Sequence, residues 1–410
     1  MGCLVAGRRK ILQMGSVLRF FTFFAIVGFL AAAIHFYLYR RLIRDTTQSR
    51  RVRQWGLAIV AGLFGMFIAT RVLQRIISPN SQLLPLFSAT WFWMGLATYL
   101  SFALWSLGLV RWLARTTGRL RDALANRPSE PISPERRLFL SRAVAGGAVL
   151  AAGGLTTFGA WRAYAPALVS EVPVRLPRLS PKMDGFTIVQ LSDLHLSNLI
   201  GRRFVDDIVR RSNALNPDLV VITGDLVDGS VQQLGDTAAG LMNLRSKYGT
   251  FFVTGNHDYY SGDRVWCEAL TRMGVNVLRN RFTTIGAEDS GFDLVGVDDW
   301  GAAGRYRKTG YNLDNALRGR DPDRPAVLLA HQPANFTVAA ERGMGLQLSG
   351  HTHGGQFFPV TALVSLRYPR YAGRYTHGEG TLYVSRGTGF WGPPLRLGSP
   401  PEIVKITLVS

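Results

Sequence analysis

The sequence predicts an α/β domain with two sheets facing each other, preceded by about four membrane-spanning helices. Three observations carry this expectation. Four short apolar runs each end in metal-ligand residue types: Thr187–Leu191 leads to Asp193 and His195, Leu219–Ile222 to Asp225, Phe251–Val253 to Asn256 and His257, and Ala326–Leu329 to His331. A fifth run ends in the turn Ser349–Gln356, with His351 and His353 on it. Second, helical spacing separates these runs, as crossovers between parallel strands require. Third, the first 170 residues alternate long apolar stretches with arginine clusters, while the rest of the chain is evenly charged.

The N-terminal part comes first. Residues 17–39 are apolar apart from Arg19 and His35, and about 20 residues cross a bilayer. Residues 55–73, 83–110 and 143–160 are the second to fourth candidate spans. The third opens on tryptophans and phenylalanines, the residues that favour a membrane interface. A transmembrane region over 1–160 is expected, with His35 as a helix-packing residue.

Charge sets the orientation. Residues 1–170 hold 21 Lys/Arg against four acids, so +17 of the net +20 lies there (21 − 4 against 47 − 27). The link between the first two spans carries Arg40, Arg41, Arg44, Arg50, Arg51 and Arg53. The link before the fourth carries Arg111, Arg115, Arg119, Arg121, Arg127, Arg136, Arg137 and Arg142. Only Arg71 and Arg75 fall between the second and third spans. Positive charge stays on the cytoplasmic side, so both basic links are expected inside and everything after residue 160 outside. Arg8, Arg9 and Lys10 oppose this, and a start at Met14 would remove them. The fourth span has two readings: a plain span, or a twin-arginine export signal built on Arg136-Arg137. Both put the C-terminal domain outside. Arginines bracketing apolar runs are membrane topology signals and not a polar basic face, so no nucleic acid is expected as partner. Cys3 and Cys267 lie in regions of opposite character and predict no disulfide.

The stretch 161–180, with Pro166, Pro173 and Pro177, reads as a linker and a first edge strand; the linker is set at 161–173 and the enzymatic domain at 174–410. Arg202–Leu215, with Phe204, Ile208 and Val209 at helical spacing, and Asp263–Met273 read as crossover helices. Strand-like runs such as Thr381–Val384 and Ile403–Ile406 close the chain. Strands that all present ligands at their C-terminal ends place a site along one sheet edge.

The donors define the chemistry. Asp193 and Asp225 offer carboxylates, Asn256 an amide oxygen, and His195, His331, His351 and His353 imidazoles. Nitrogen and oxygen ligation without thiolate suits Mn, Fe or Zn. Seven donors exceed what one ion takes from protein, so two divalent ions sharing a bridging carboxylate are expected. Two such ions clamp an oxyanion and make water a hydroxide nucleophile near neutral pH. The excess positive charge suits phosphate esters. His257 is open at this level, as a further ligand or as a catalytic group.

The blocks Asp193-Leu194-His195, Gly224-Asp225-Leu226-Val227-Asp228, Gly255-Asn256-His257-Asp258, His331 and Gly350-His351-Thr352-His353 stand in the order found in the calcineurin-like metallophosphoesterases. Over 174–410 the chain resembles that family. The resemblance implies a four-layer α/β/β/α sandwich, with Asp193, His195 and His353 on one ion and Asn256, His331 and His351 on the other. Asp225 would bridge the two. It further implies that His257 is catalytic, protonating the leaving oxygen, steered by Asp258. Gly354-Gly355-Gln356, Gly296–Asp299 and the C-terminal Val384–Ile403 stretch are similar to the membrane-associated YkuE/YaeI-like branch. Spans before such a domain also resemble transmembrane proteins with a metallophosphoesterase domain.

The expected activity is hydrolysis of phosphomono- or diesters by metal-activated hydroxide. Two alternatives stand beside it. One is a pyrophosphohydrolase of a lipid-linked substrate such as UDP-2,3-diacylglucosamine, as in some relatives of this branch. The other is a non-catalytic, metal-dependent binding domain. Arg386 and Arg396, flanking the Gly389–Pro394 loop, are candidate phosphate-binding residues. Asp228, Asp298 and Asp299 are expected to support ligands or cap loops, and His377 to lie at the surface.

Overall fold

The computed structural model describes residues 22, 25–26, 28–76, 83–124, 133–302 and 310–410. By contacts the chain forms two units, Met1–Thr157 and Phe158–Ser410.

Among the described residues three helices are long and apolar enough to cross a membrane. They belong to α1 (Arg50–Ile76), α2 (Leu84–Leu124) and α3 (Pro134–Tyr164), which contain the second to fourth expected spans. The expected first span, 17–39, lies partly outside the described residues; its stretch 28–39 is helical and runs into a π-helical turn at Arg40–Arg44. Apolar side chains on these segments face outward, Trp55 at 73% and Leu150 at 79% exposure. Core helices of a soluble protein would bury such residues, whereas a bilayer makes their exposure favourable. Polar contacts sit between helices. His35 keeps its Nδ1 proton on Ala31 O (2.8 Å) and accepts from Trp93 Nε1 (3.0 Å). Thr70 Oγ1 lies 3.3 Å from Thr90 Oγ1. His35 thus packs helices together, as expected.

Among the described residues the second unit has twelve strands, β1 (Leu168–Arg175), β2 (Thr187–Leu191), β3 (Leu219–Thr223), β4 (Thr250–Val253), β5 (Asn276–Val277), β6 (Arg281–Ile285), β7 (Phe292–Gly296), β8 (Ala326–Leu329), β9 (Leu346–Ser349), β10 (Gly373–His377), β11 (Gly380–Val384) and β12 (Glu402–Val409). One sheet has the order β1-β12-β2-β3-β4-β5 and the other β10-β11-β9-β8-β7-β6. The strands β2 to β5 are mutually parallel, as are β11, β9, β8 and β7.

Alternation along each strand makes the layers. On β3, Leu219 and Val221 pack into the core between the sheets, with Ile188, Leu294, Leu329, Leu348 and Ile406. Val220 and Ile222 face the opposite way, onto α4 (Arg202–Asn213), α5 (Val231–Ala238) and α7 (Asp263–Arg272), whose Val205, Ile208, Leu234, Trp266 and Leu270 cover that face. Between α5 and α7 lies the short α6 (Asn256–Ser261). The second sheet's outer face is covered by α8 (Leu313–Ala316) and α9 (Phe336–Glu341). A last helix, α10 (Val360–Arg367), follows β9. The result is the four-layer α/β/β/α sandwich. Both strand sets are buried on two sides, which is why they read as continuous apolar runs.

The stretch 161–173 is not a linker. Helix α3 continues to Tyr164, and β1 begins at Leu168 and pairs with β12 over its whole length. Pro173 fits because β1 is an edge strand, where a missing N–H breaks no ladder.

Candidate metal centre

The five expected ligand-bearing tails leave β2, β3, β4, β8 and β9 at their C-terminal ends, and the ends converge. The β2 and β3 tails keep pairing beyond the strands: Asp193 N donates to Gly224 O (3.0 Å), His195 N to Asp225 O (3.1 Å) and Leu196 N to Leu226 O (2.9 Å). Gly350 N on the β9 tail donates to His331 O on the β8 tail (2.9 Å).

The backbone bends sharply to aim the side chains. Asp193, His195, Asp225, His351 and His353 all have positive φ, from 49° to 73°. Side-chain-bearing residues adopt this region at a cost, which the surrounding hydrogen bonds must offset. Space is equally tight. A Cβ on Gly255 would lie 2.2 Å from Asp225 Oδ1, and one on Gly350 2.2 Å from Asp193 Oδ2. Only glycine lets those two strand tails come this close to the carboxylates.

Among the described residues three groups lie within ion-holding reach, Asp193–His195–His353, Asp225–His331–His351 and His195–Asp228–His257, and the expected ligands make up the first two. Asp225 stands between them. Its Oδ2 is 3.1 Å from His331 Nε2 and 3.8 Å from His195 Nε2. In the first group His353 Nε2 lies 3.4 Å from Asp193 Oδ1 and 3.0 Å from His195 Nε2.

Partners on the far side of the rings fix their orientation. His331 Nδ1 donates to Thr223 O (2.8 Å) and His195 Nδ1 to Asp228 Oδ2 (3.0 Å), so each turns Nε2 inward. Ser192 Oγ donates to Asp193 Oδ2 (2.6 Å), and His351 N to Asp193 Oδ1 (3.0 Å). Three inward atoms, Asn256 Oδ1, His331 Nε2 and His351 Nδ1, are buried without a hydrogen-bond partner. Buried polar atoms seldom stay unpaired, and these three belong to the residues expected on one ion. The donor set therefore fits a divalent cation. His353 differs in its outer partner, because Nδ1 faces Arg396 Nη2 at 3.1 Å and accepts from it.

Electrostatics differ from donor to donor. Burial works against protonation of His331, but Asp225, then Asp193 and Asp299, outweigh it and hold the ring well above its ordinary value. Burial pushes the Asp193 carboxyl up. Burial would also raise Asp225, but His331, His257 and His195 outweigh it and hold the group well below the usual range. Burial pushes His351 down to about 3, helped by His331, so its ring is a neutral donor. Metal ions bind imidazole and carboxylate unprotonated, so Asp225 and His351 already favour the ligating form, whereas Asp193 and His331 would release a proton on binding.

His257, on α6, lies beside this centre. Its N–H donates to Asp225 Oδ1 (2.8 Å) and its ring packs against Tyr260 and Trp391. The expected partner Asp258 does not touch the ring. It accepts from the backbone N–H groups of Asp225, Leu226, Val227 and Gly255, and so builds the β3 turn. The carboxylate on His257 Nδ1 is Asp228 (2.6 Å). One carboxylate thus serves both His195 and His257, a role the sequence reading gave Asp228 only in outline.

The two candidate phosphate-binding arginines differ in placement. Arg396 is fully buried. Its guanidinium donates to the carbonyls of His353 (3.2 Å), Arg386 (2.7 Å), Ser399 (3.3 Å), Gly387 (3.3 Å) and Gly389. It ties the 386–399 loop to the His353 turn, away from solvent. Arg386 is drawn to buried Glu402, through Nη1 (3.0 Å) and its backbone N–H (2.7 Å). Glu402 also accepts from Ser170 Oγ (2.7 Å), so the pair helps fasten β12 to β1. Asp298 accepts from Arg279 Nε (2.8 Å) and Asp299 from Gln332 Nε2 (2.8 Å), both supporting loops. His377 lies at the surface, 3.4 Å from Glu341. Tyr368, whose ring meets His351 edge-on at 5.8 Å, and Tyr260 were not singled out from sequence. Nothing in their residue type marks them; only the fold brings them to the rim.

Residues 186–355 match the family model described as calcineurin-like phosphoesterase. The chain is 41% identical over 295 residues to a Bos taurus protein named transmembrane protein with metallophosphoesterase domain, covering 69% of this chain and 66% of that one. It is 39% identical to the Danio rerio protein of the same name, over 62% and 60% of the two chains. The chain thus spans less than two thirds of the length of these two relatives. It is 32% identical over 290 residues to a Bacillus subtilis protein named uncharacterized metallophosphoesterase YkuE, covering 67% of this chain and 98% of that one. Motif blocks, sheet topology and these matches agree, and the chain belongs to the calcineurin-like phosphoesterase family.

Proposed function

We propose that the protein is a membrane-anchored phosphoester hydrolase working with two divalent ions, acting on phosphomono- or diesters. The observation that carries this is the trio of buried, unpaired inward atoms, Asn256 Oδ1, His331 Nε2 and His351 Nδ1, facing a second donor group across Asp225. Asp193, His195 and His353 would hold one ion and Asn256, His331 and His351 the other, with Asp225 shared. Mn, Fe or Zn suits these donors. Bound there, divalent ions supply Lewis acidity toward a phosphoryl oxygen and acidify water.

The chain's own groups do the rest. Asp228 holds the His257 ring by Nδ1, leaving Nε2 to deliver a proton to the leaving oxygen. Burial works against protonation of His257, but Asp228, then Asp225 and Asp258, outweigh it and raise the ring to about 9. At neutral pH His257 thus carries the proton that a leaving alkoxide needs. Asp258 keeps Asp225 in place by capping the amides of its turn. The rim of Tyr260, Tyr368 and Trp391 walls the site.

The arginine-rich links support a multi-pass protein of the cell membrane with this domain outside. Labelling of Cys placed at Arg44 only after lysis, and at Glu171 in intact cells, is expected; the reverse pattern would invert the topology. The activity is tested with the purified full chain on aryl phosphomonoesters and phosphodiesters, after loading with Mn, Fe, Zn or Mg. Turnover that needs metal and is lost in Asp225→Asn supports the reading. No turnover with any metal leaves the binding-domain alternative.

A further inference from the structure

Helix α10 (Val360–Arg367) starts five residues after the His353–Gly355 turn and packs directly on it: a Cβ on Gly355 would lie 2.3 Å from Thr361 Cα. Yet α10 buries none of its own residues. Leu363 is 65% and Leu366 83% exposed, next to Phe358 at 44% and Trp391 at 52%. Trp391 joins this surface through Gln356, whose Nε2 donates to Trp391 O (2.9 Å) and Pro393 O (3.1 Å) while its Oε1 accepts from Trp391 N (2.9 Å). Trp391 also meets the His257 ring, so the apolar surface runs to the mouth of the candidate site.

Two further observations indicate what covers it. The chain from 342 to 378 contains Arg342, Arg367, Arg370 and Arg374 and no acid. The loop that holds Trp391 also holds the end of α3, the last apolar helix: Arg396 N donates to Gly159 O (2.9 Å), and Tyr164 meets Phe390 edge-on at 5.2 Å. Exposed leucines and aromatics in a stretch whose charged residues along the chain are arginines, beside the end of a helix apolar enough to span a bilayer, have the make-up of an interfacial surface.

We infer that α10, Phe358 and Trp391 form a membrane-docking surface that seats the mouth of the site on the lipid headgroup layer, so that the site takes phosphoesters carried by an amphiphile. The substrate part rests on the proposed hydrolase activity; the docking part stands without it.

A bimane label on Leu366→Cys tests the docking, in the full chain with Cys3 and Cys267 replaced by Ala, reconstituted in nanodiscs with brominated acyl chains. Asp323→Cys is the control, since it precedes β8 at the end of the sheet opposite the ligands. At 366 a blue shift and at least twofold quenching are expected, with neither at 323. Equal, unquenched emission at both positions overturns the inference, whatever the enzyme hydrolyses, and a protein-covered patch would give that result. The substrate part is read from Leu363→Glu/Leu366→Glu. Its rate on a soluble aryl phosphodiester should stay within twofold of wild type, and its rate on an acylated aryl phosphodiester in mixed micelles should fall at least tenfold. An equal change on both overturns the substrate part. A wild type inactive on both refutes the hydrolase reading instead, and the quenching result stands apart from it.

Discussion

His257 Nδ1 lies 2.6 Å from Asp228 Oδ1, while the other oxygen of the same carboxylate lies 3.0 Å from His195 Nδ1. A single side chain therefore orients both a ring proposed as a metal ligand and a ring proposed as a proton donor. Asp228→Asn should lower kcat by about 10- to 100-fold and weaken metal affinity, because an amide holds both rings less firmly. His257→Asn should lower kcat by about 100-fold or more with metal content unchanged. Steady-state kinetics paired with elemental analysis separates the two effects; a variant at 228 that matches wild type in both would remove this role.

Arg396 is predicted to matter for folding of the loop and not for substrate affinity. Its removal leaves several buried carbonyls without donors, each costing about 1–3 kcal/mol. Arg396→Gln should therefore lower the unfolding temperature by several degrees, and leave KM unchanged in whatever active fraction survives. A raised KM with an unchanged melting curve would return Arg396 to the substrate.

These two residues mark what the sequence reveals and what it hides. The five ligand tails were legible because each follows an apolar run at the same end of a strand, and burial on both faces leaves a chemical trace in residue types. The partners were not. Whether Asp228 or Asp258 meets His257 depends on how α6 leaves the β4 tail, and both are acids within a short distance along the chain. Arg396 reads as a surface cation beside an aromatic loop; its burial follows from carbonyls of the 386–399 loop and the His353 turn that face one another only after folding. Strand β1 was expected as an edge strand in this stretch but not its start at Leu168, because Pro173 within it reads as a breaker that an edge position tolerates. The membrane helices were the clearest feature, since length and hydropathy need no tertiary context.

The glycine at 255 should be as indispensable as a ligand. Gly255→Ala forces a methyl onto Asp225 Oδ1 and its backbone nitrogen, so either the carboxylate or the β4 tail must move. Loss of at least one bound ion per chain is expected, although every donor is still present. Isothermal titration with Mn or Zn would show it; wild-type stoichiometry in this variant would mean that the tails are less tightly packed than they appear to be.

Cys267 gives a pH dependence away from the metals. Burial pushes its thiol from 9.0 up to about 12. The folded state thus holds the proton more tightly than the unfolded chain. The associated stability is complete below about pH 9 and is lost as pH rises toward 12. The native protein should resist iodoacetamide at pH 8 and react after denaturation, and Cys267→Ala should flatten the fall in melting temperature between pH 9 and 11. Rapid native labelling would contradict a buried, protonated thiol.

The metal content of the purified full chain tests the central claim most directly. Counted by inductively coupled plasma mass spectrometry after loading with Mn, Fe or Zn and desalting, the wild type should carry two ions per chain, and Asp225→Ala one or none. A wild type that retains no more than one ion, or an Asp225→Ala variant that still holds two, would contradict a pair of cations held across Asp225.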